Sequence, residues 1–143
     1  TLIERYVTGR ELTVGVLGPW PDLGATALPP LEIITAAGYY DYEAKYHRDD
    51  TQYRFDPDLP ETLLRRLREL ALEAHAALGA RDLSRVDFIV DEGDRPWVLE
   101  VNTLPGFTDH SLLPMAAAEA GWPMPSLCET LARLAVEQNA PGA

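Results

Sequence analysis

The chain has 143 residues, one domain's length, and its 46% hydrophobic content is ordinary for a soluble protein with a core of its own. A formal charge of −11 argues against sequence-independent nucleic-acid binding, which needs a basic surface. The lone Cys128 rules out an internal disulfide framework and suits a reducing cytoplasm, and no apolar run approaches a membrane span.

The chain opens on Thr1-Leu2-Ile3, without an initiator Met and already strand-like, so it reads as a piece of a longer protein. Leu2 to Val7 reads as a strand, Thr8-Gly9 as a turn, and Glu11 to Leu17 as a second strand, together a hairpin. Glu4 and Glu11 fall on these strands, where Glu is depleted, and read as exposed edge charges. Gly18 to Gly24 is a loop with two prolines. Ala27 to Thr35 is apolar but broken by Pro29-Pro30, which marks an edge strand or an extended segment.

Tyr39 to Tyr46 leads into a polar stretch, His47 to Pro60, with no clean periodicity. A loop of that length is commonly functional or mobile. Lys45, just before it, is either solvated or a movable cation that closes over a phosphate. Leu63, Leu64, Leu67, Leu70, Ala71, Ala74 and Leu78 then recur at spacings of three and four, which predicts a helix from Pro60 to Leu78 ended by Gly79. His75 within it reads as a packed or surface histidine, not a ligand.

Arg85 to Asp91 and Trp97 to Asn102 both alternate apolar and polar residues around the turn residues Glu92-Gly93-Asp94-Arg95. With Gly93-Asp94 as the loop, Asp87 faces Glu100 and Arg85 faces Asn102, while Val86, Phe88, Val90, Trp97, Leu99 and Val101 share the core face. Two carboxylates about 5 Å apart across a strand pair repel by roughly 3 kcal/mol at an effective dielectric near 20. A shared proton, the neighbouring Arg85 or a bound divalent cation would relieve this. Asp, Glu and Asn offer only oxygen donors, which suit hard ions such as Mg²⁺ or Mn²⁺. The alternative is a solvated polar face with a salt bridge.

The loop Thr103 to Ser111 contains Pro105-Gly106 and feeds a helix from Leu112 to Ala120 ended by Gly121. Ser111 or Asp109 suits its N-cap, and such a helix start is a ready anion site. His110 has no assigned role. A second helix runs from Pro125 to about Gln138, where Cys128 is expected to pack, and Asn139 to Ala143 is expected to be disordered. A metal held by carboxylates, an arginine and an anion-binding turn together suit Mg²⁺–phosphate chemistry. No Walker-type or GxGxxG run is present.

The run from Arg85-Val86-Asp87-Phe88 through Leu99-Glu100-Val101-Asn102-Thr103-Leu104-Pro105-Gly106-Phe107-Thr108 to Ser111-Leu112-Leu113-Pro114 resembles the signature of D-alanine–D-alanine ligases, of the ATP-grasp superfamily. Glu4-Arg5-Tyr6-Val7-Thr8-Gly9-Arg10-Glu11 and Tyr40-Asp41-Tyr42-Glu43-Ala44-Lys45-Tyr46 resemble it too. The resemblance implies an α+β fold: an ATP-grasp C-terminal domain, residues 1–143, with a largely antiparallel sheet flanked by helices. The family's N-terminal domain and most of its central domain are absent, so the isolated chain is expected to be inactive.

Carried over residue by residue, the resemblance implies that Asp87, Glu100 and Asn102 hold two Mg²⁺ (or Mn²⁺) ions bridging the phosphates of ATP. Arg85 and the backbone of Gly106 would stabilise the tetrahedral intermediate, and Ser111 and Leu112 would bind the carboxylate of the second D-alanine. Glu4, Arg5 and Val7 would contact adenine, Glu11 the ribose, and Lys45 the phosphates, with Tyr46 shaping the substrate site. The implied reaction is ATP-dependent ligation of two D-alanines through a D-alanyl phosphate, for peptidoglycan precursors, by a cytoplasmic homodimer. The run ending in Tyr46 resembles dipeptide formers; the alternatives are a ligase for D-lactate or D-serine and a non-catalytic nucleotide-binding fragment. Arg5 stands where a lysine is common, and Phe107 where a methionine is.

Overall fold

The computed structural model describes residues 1, 3–20, 24–34 and 51–138. Its two longest strands, β1 (Gly9–Leu17) and β5 (Leu83–Asp91), lie side by side over nine registered pairs, from Gly9–Asp91 to Leu17–Leu83. Around this pair run β2 (Thr26–Ala27), β3 (Leu31–Ile34), β4 (Gln52–Arg54) and β6 (Pro96–Asn102). They make one sheet in the order β4-β3-β1-β5-β6, with β2 added to the end of β1, and every pairing between these described strands is antiparallel.

Helices α1 (Glu61–Ala77), α2 (Leu112–Glu119) and α3 (Met124–Gln138) flank the sheet. Alternation along β1 and β5 gives the sheet two faces of different character. On one, Leu12, Val14, Val16, Val86, Phe88 and Val90 pack against Leu63, Leu67 and Ala71 of α1. Each such buried Val, Leu or Phe contributes about 1.5–3 kcal/mol of transfer free energy. On the other, α2 and α3 cover one end only: Leu28, Leu113, Ala117, Leu127 and Leu134 form one cluster, and Leu31, Ile33 and Leu112 a second. Gly15 lies beneath this contact, and a Cβ there would meet Leu28 Cδ1 at 2.7 Å.

Both predicted helix stops hold for a stated reason. Gly79 and Gly121 have φ of +60° and +88°, and the following residues, Ala80 and Trp122, donate back to His75 O and Ala117 O. That is a Schellman cap, which only a residue tolerant of the left-handed region closes at little cost. His75 is buried, with Nδ1 2.7 Å from Ser84 Oγ on β5, and its Nε2 has no hydrogen-bond partner.

Five expectations are corrected. Residues 3–8 form no strand, so there is no N-terminal hairpin; β1 pairs instead with β2, β3 and β5. Glu11 therefore stands on a central strand and not on an edge. The Pro29-Pro30 pair falls between β2 and β3, which frees Leu31–Ile34 to pair on both sides with β1 and β4. The polar stretch after His47 contains β4. Cys128 is exposed, because the neighbouring Leu127 takes the buried stripe of α3 and places position 128 about 100° round. The expectations for Tyr39 to Tyr46 and for Asn139 to Ala143 lie outside the described residues.

Candidate active site

The β5–β6 hairpin turns through Glu92, Gly93 and Asp94, one residue more than expected. Asp94 N donates to Asp91 O at 3.0 Å, Asp91 N to Arg95 O at 3.1 Å, and Asp94 takes φ +57°. This is a three-residue loop: a type I turn followed by a left-handed residue. Near the turn Phe88 pairs with Val98, and Ile89 with Trp97. Leu99 is then an unpaired bulge residue, after which Asp87 faces Glu100 and Arg85 faces Asn102. The expected facing pairs are therefore present, but Trp97 lies on the face of Asp87 and Ile89. Val98 takes the core-side position opposite Phe88, and Leu99 is 53% exposed.

The polar face is built by position. Thr13 on β1, Asp87 on β5 and Glu100 on β6 stand in one row across three strands. Arg85, two residues from Asp87 on the same strand, turns its guanidinium fork onto that carboxylate: Nε donates to Oδ1 at 2.9 Å and Nη2 to Oδ2 at 2.7 Å. Thr13 Oγ1 donates to Asp87 Oδ1 at 2.6 Å. Arg85 Nη2 is also 3.9 Å from Glu100 Oε1, so one buried guanidinium sits between both carboxylates. Of the three ways to relieve their repulsion, this structure displays the arginine. Glu100 remains open to solvent, its side chain 63% exposed.

Asn102 Oδ1 accepts from Leu104 N at 3.1 Å, which starts the loop that follows. Asp87, Glu100 and Asn102 thus present only hard oxygen donors on one face of two paired strands, a set that fits Mg²⁺ or Mn²⁺. Among the described residues no group of three His, Cys, Asp or Glu could hold a metal ion alone. An ion there would rely on the Asn102 amide and on oxygens from a substrate.

Beside this row a cavity of about 580 Å³ is lined by residues 4–11 together with Ile33, Ile34, Ile89 and Leu99. The structure therefore brings Glu4, Arg5, Val7 and Glu11 around one space. Glu11 shares the polar face with Thr13 and is half-buried. Burial, followed by the charge of Asp87, pushes its carboxyl up to about 7, with Arg85 pulling the other way.

The loop after β6 folds on itself before α2. Thr108 N donates to Ser111 Oγ at 3.0 Å, and the two hydroxyls are 2.9 Å apart. Gly106 passes so close that a Cβ there would meet Ser111 Oγ at 3.1 Å. Ser111 occupies the N-cap, but its hydroxyl faces back into the loop and does not cap the helix amides. The Leu112 side chain is buried against Leu31 and Ile33, so only its backbone can face a ligand. Lys45 and Tyr46 lie outside the described residues.

Sequence reasoning missed Thr13, Asp91 and Trp97. Thr13 was legible, since it follows Glu11 by two on one strand. Asp91 and Trp97 depend on the loop length and the bulge, which alternation alone conceals.

A family model described as "D-ala D-ala ligase C-terminus" matches residues 1–133. The D-alanine–D-alanine ligase of Bordetella parapertussis is 49% identical over 141 residues, covering 98% of this chain and 44% of that protein. The crystal structure of D-alanine–D-alanine ligase from Bacillus anthracis complexed with ATP superposes with a TM-score of 0.74 at 30% identity, over 94% of this chain and 40% of that one. The VanG D-Ala:D-Ser ligase of Enterococcus faecalis also gives a TM-score of 0.74, at 28% identity, over 90% of this chain and 37% of that one. The chain spans less than half the length of these relatives. With a match across nearly its whole length and an antiparallel sheet that superposes on theirs, the chain belongs to the D-alanine–D-alanine ligase C-terminal family.

Proposed function

We propose that this chain is the nucleotide- and metal-handling part of a ligase that uses ATP to join two D-alanines through a D-alanyl phosphate. The observation that carries the reading is one continuous polar face. Asp87 opposes Glu100 with Asn102 two positions on, beside the cavity that Glu4, Arg5, Val7 and Glu11 line. Two Mg²⁺ or Mn²⁺ ions held by Asp87, Glu100 and Asn102 would supply neutralisation of the phosphate charge.

The chain's own residues have the following tasks. Glu4, Arg5 and Val7 contact adenine and Glu11 the ribose. Arg85, whose side chain is only 6% exposed, offers a fixed positive charge to the tetrahedral intermediate, aided by the Gly106 backbone N–H. Ser111 and the backbone of Leu112, at the start of α2, bind the carboxylate of the second amino acid. Lys45 reaches the phosphates and Tyr46 shapes the substrate site. The product serves peptidoglycan precursor synthesis in the cytoplasm, and the enzyme works as a homodimer. Among the described residues no helix is long and apolar enough to cross a membrane.

The test is ADP release by the full-length protein with D-alanine as the only amino acid. Glu100→Ala should lower kcat about a hundredfold or more, equivalent to roughly 2.7 kcal/mol of barrier, while the urea midpoint stays close to wild type. Turnover that survives the substitution refutes the metal assignment. The likeness to a D-Ala:D-Ser ligase makes D-serine and D-lactate the competing second substrates, and the same assay ranks them. Calorimetric binding of Mg²⁺-ATP without ligation would leave the non-catalytic reading.

A further inference from the structure

The segment that carries Glu4, Arg5 and Val7 enters no strand, and Ile3 and Tyr6 on it are 89% and 72% exposed. Among the described residues no strand pairs with it, and side chains of the β5–β6 hairpin reach it. Arg5 Cζ lies 5.6 Å from the centroid of the Trp97 ring, and Arg95 Cζ lies 5.9 Å from the same centroid. Both contacts fall within the range in which an aromatic face attracts a cation.

Trp97 is itself fixed. Its position before the bulge puts it on the cavity side opposite Ile89, and its indole N–H donates to Asp91 Oδ2 at 3.0 Å. Asp91 also accepts from Gly93 N, Arg95 N and Arg95 Nε at 2.9, 3.1 and 3.0 Å. These bonds, the indole's first among them, hold its carboxyl well below the usual carboxylate range, so the anchor stays charged. Ring, carboxylate and Arg95 make one preorganised unit at the hairpin tip.

We infer that Trp97, locked by Asp91, is a positioning residue that seats Arg5, and with it the unpaired segment, against the nucleotide cavity. This rests on the proposed role of that cavity. Trp97 does not touch the reacting atoms; it acts through Arg5. Ordering the segment before ATP arrives lowers the entropy lost on binding, so the effect belongs in nucleotide affinity and not in the chemical step.

The test measures KM for ATP, KM for D-alanine and kcat in the full-length protein. Trp97→Leu should raise KM for ATP about two- to tenfold, the range of one such contact, with kcat and the D-alanine KM unmoved. Trp97→Phe, which keeps the ring face, should recover most of that loss. Adding Trp97→Leu to Arg5→Ala should change nothing further, because the ring acts through the arginine. If Trp97→Leu fails to fold, Asp91→Ala, which removes the acceptor that fixes the ring, should raise the same KM with kcat unmoved. A wild-type KM for ATP in Trp97→Leu, or additive effects in the double variant, overturns the inference. Unchanged ATP affinity in both Arg5→Ala and Glu11→Ala overturns the reading of the cavity itself.

Discussion

The two faces of the sheet obey different rules. Toward α1, six side chains of β1 and β5 are at most 1% exposed and meet a helix of matching apolar spacing. Toward the cavity, the same two strands carry Glu11, Thr13, Arg85 and Asp87, and among the described residues helices cover one end only. The first face is apolar and closed beneath α1, with an Arg10–Glu32 ion pair toward β3. The second keeps charges at partial burial, which is costly in a sheet unless each is paired. Each face also carries one titratable group out of its usual range: a buried base, His75, on the α1 side and a half-buried acid, Glu11, on the other. One sheet is thus closed by a helix on one side and keeps a polar row on the other.

That contrast can be broken from either side. The largest effect should come from Phe88→Ala on the closed face. It leaves a cavity against α1 and should cost about 3–5 kcal/mol in urea unfolding. Arg85→Met on the open face should cost about 3 kcal/mol, because it strands the Asp87 carboxylate without its partner. Adding Asp87→Asn should return most of that loss. A double variant as unstable as the single would mean that the arginine serves packing and not charge.

The two displaced groups predict opposite pH slopes. Glu11 titrates near 4.5 unfolded and about 7 folded, so its carboxyl adds stability at acid pH that is lost as pH rises from about 4.5 to 7. Glu11→Gln should therefore gain relative to wild type at pH 8 and not at pH 4. His75 is buried and lowered from 6.5, so stability is lost as pH falls below that value, where only the unfolded chain takes the proton. His75→Leu should flatten that limb. Urea midpoints across pH 4 to 8 read both effects.

The closed face was legible in the sequence. The spacing from Leu63 to Ala74 and the stop at Gly79 are local, and local periodicity reports helix faces well. The open face was legible only in part. Asp87 opposite Glu100 follows from alternation, but the central place of β1 depends on pairing with β5, some seventy residues on. Nothing local reports such a partner. The expected strand at Leu2 to Val7 failed on the same point, since β-propensity needs a neighbour to pair with. Trp97 was misplaced because Trp97, Leu99 and Val101 look like an unbroken alternation while Leu99 is a bulge.

In design terms Leu99 is a spare residue. Phe88–Val98 and Asp87–Glu100 are consecutive rungs with Leu99 unpaired between them. A chain lacking it would close the ladder into a regular strand with both rungs kept. Deletion of Leu99 should therefore leave the Asp87–Glu100 row and overall stability nearly intact, removing the local twist and one wall of the cavity. A fall in nucleotide affinity with an unchanged melting profile would be the signature. The strand carries one residue more than its sheet requires, and the cavity is where that residue is spent.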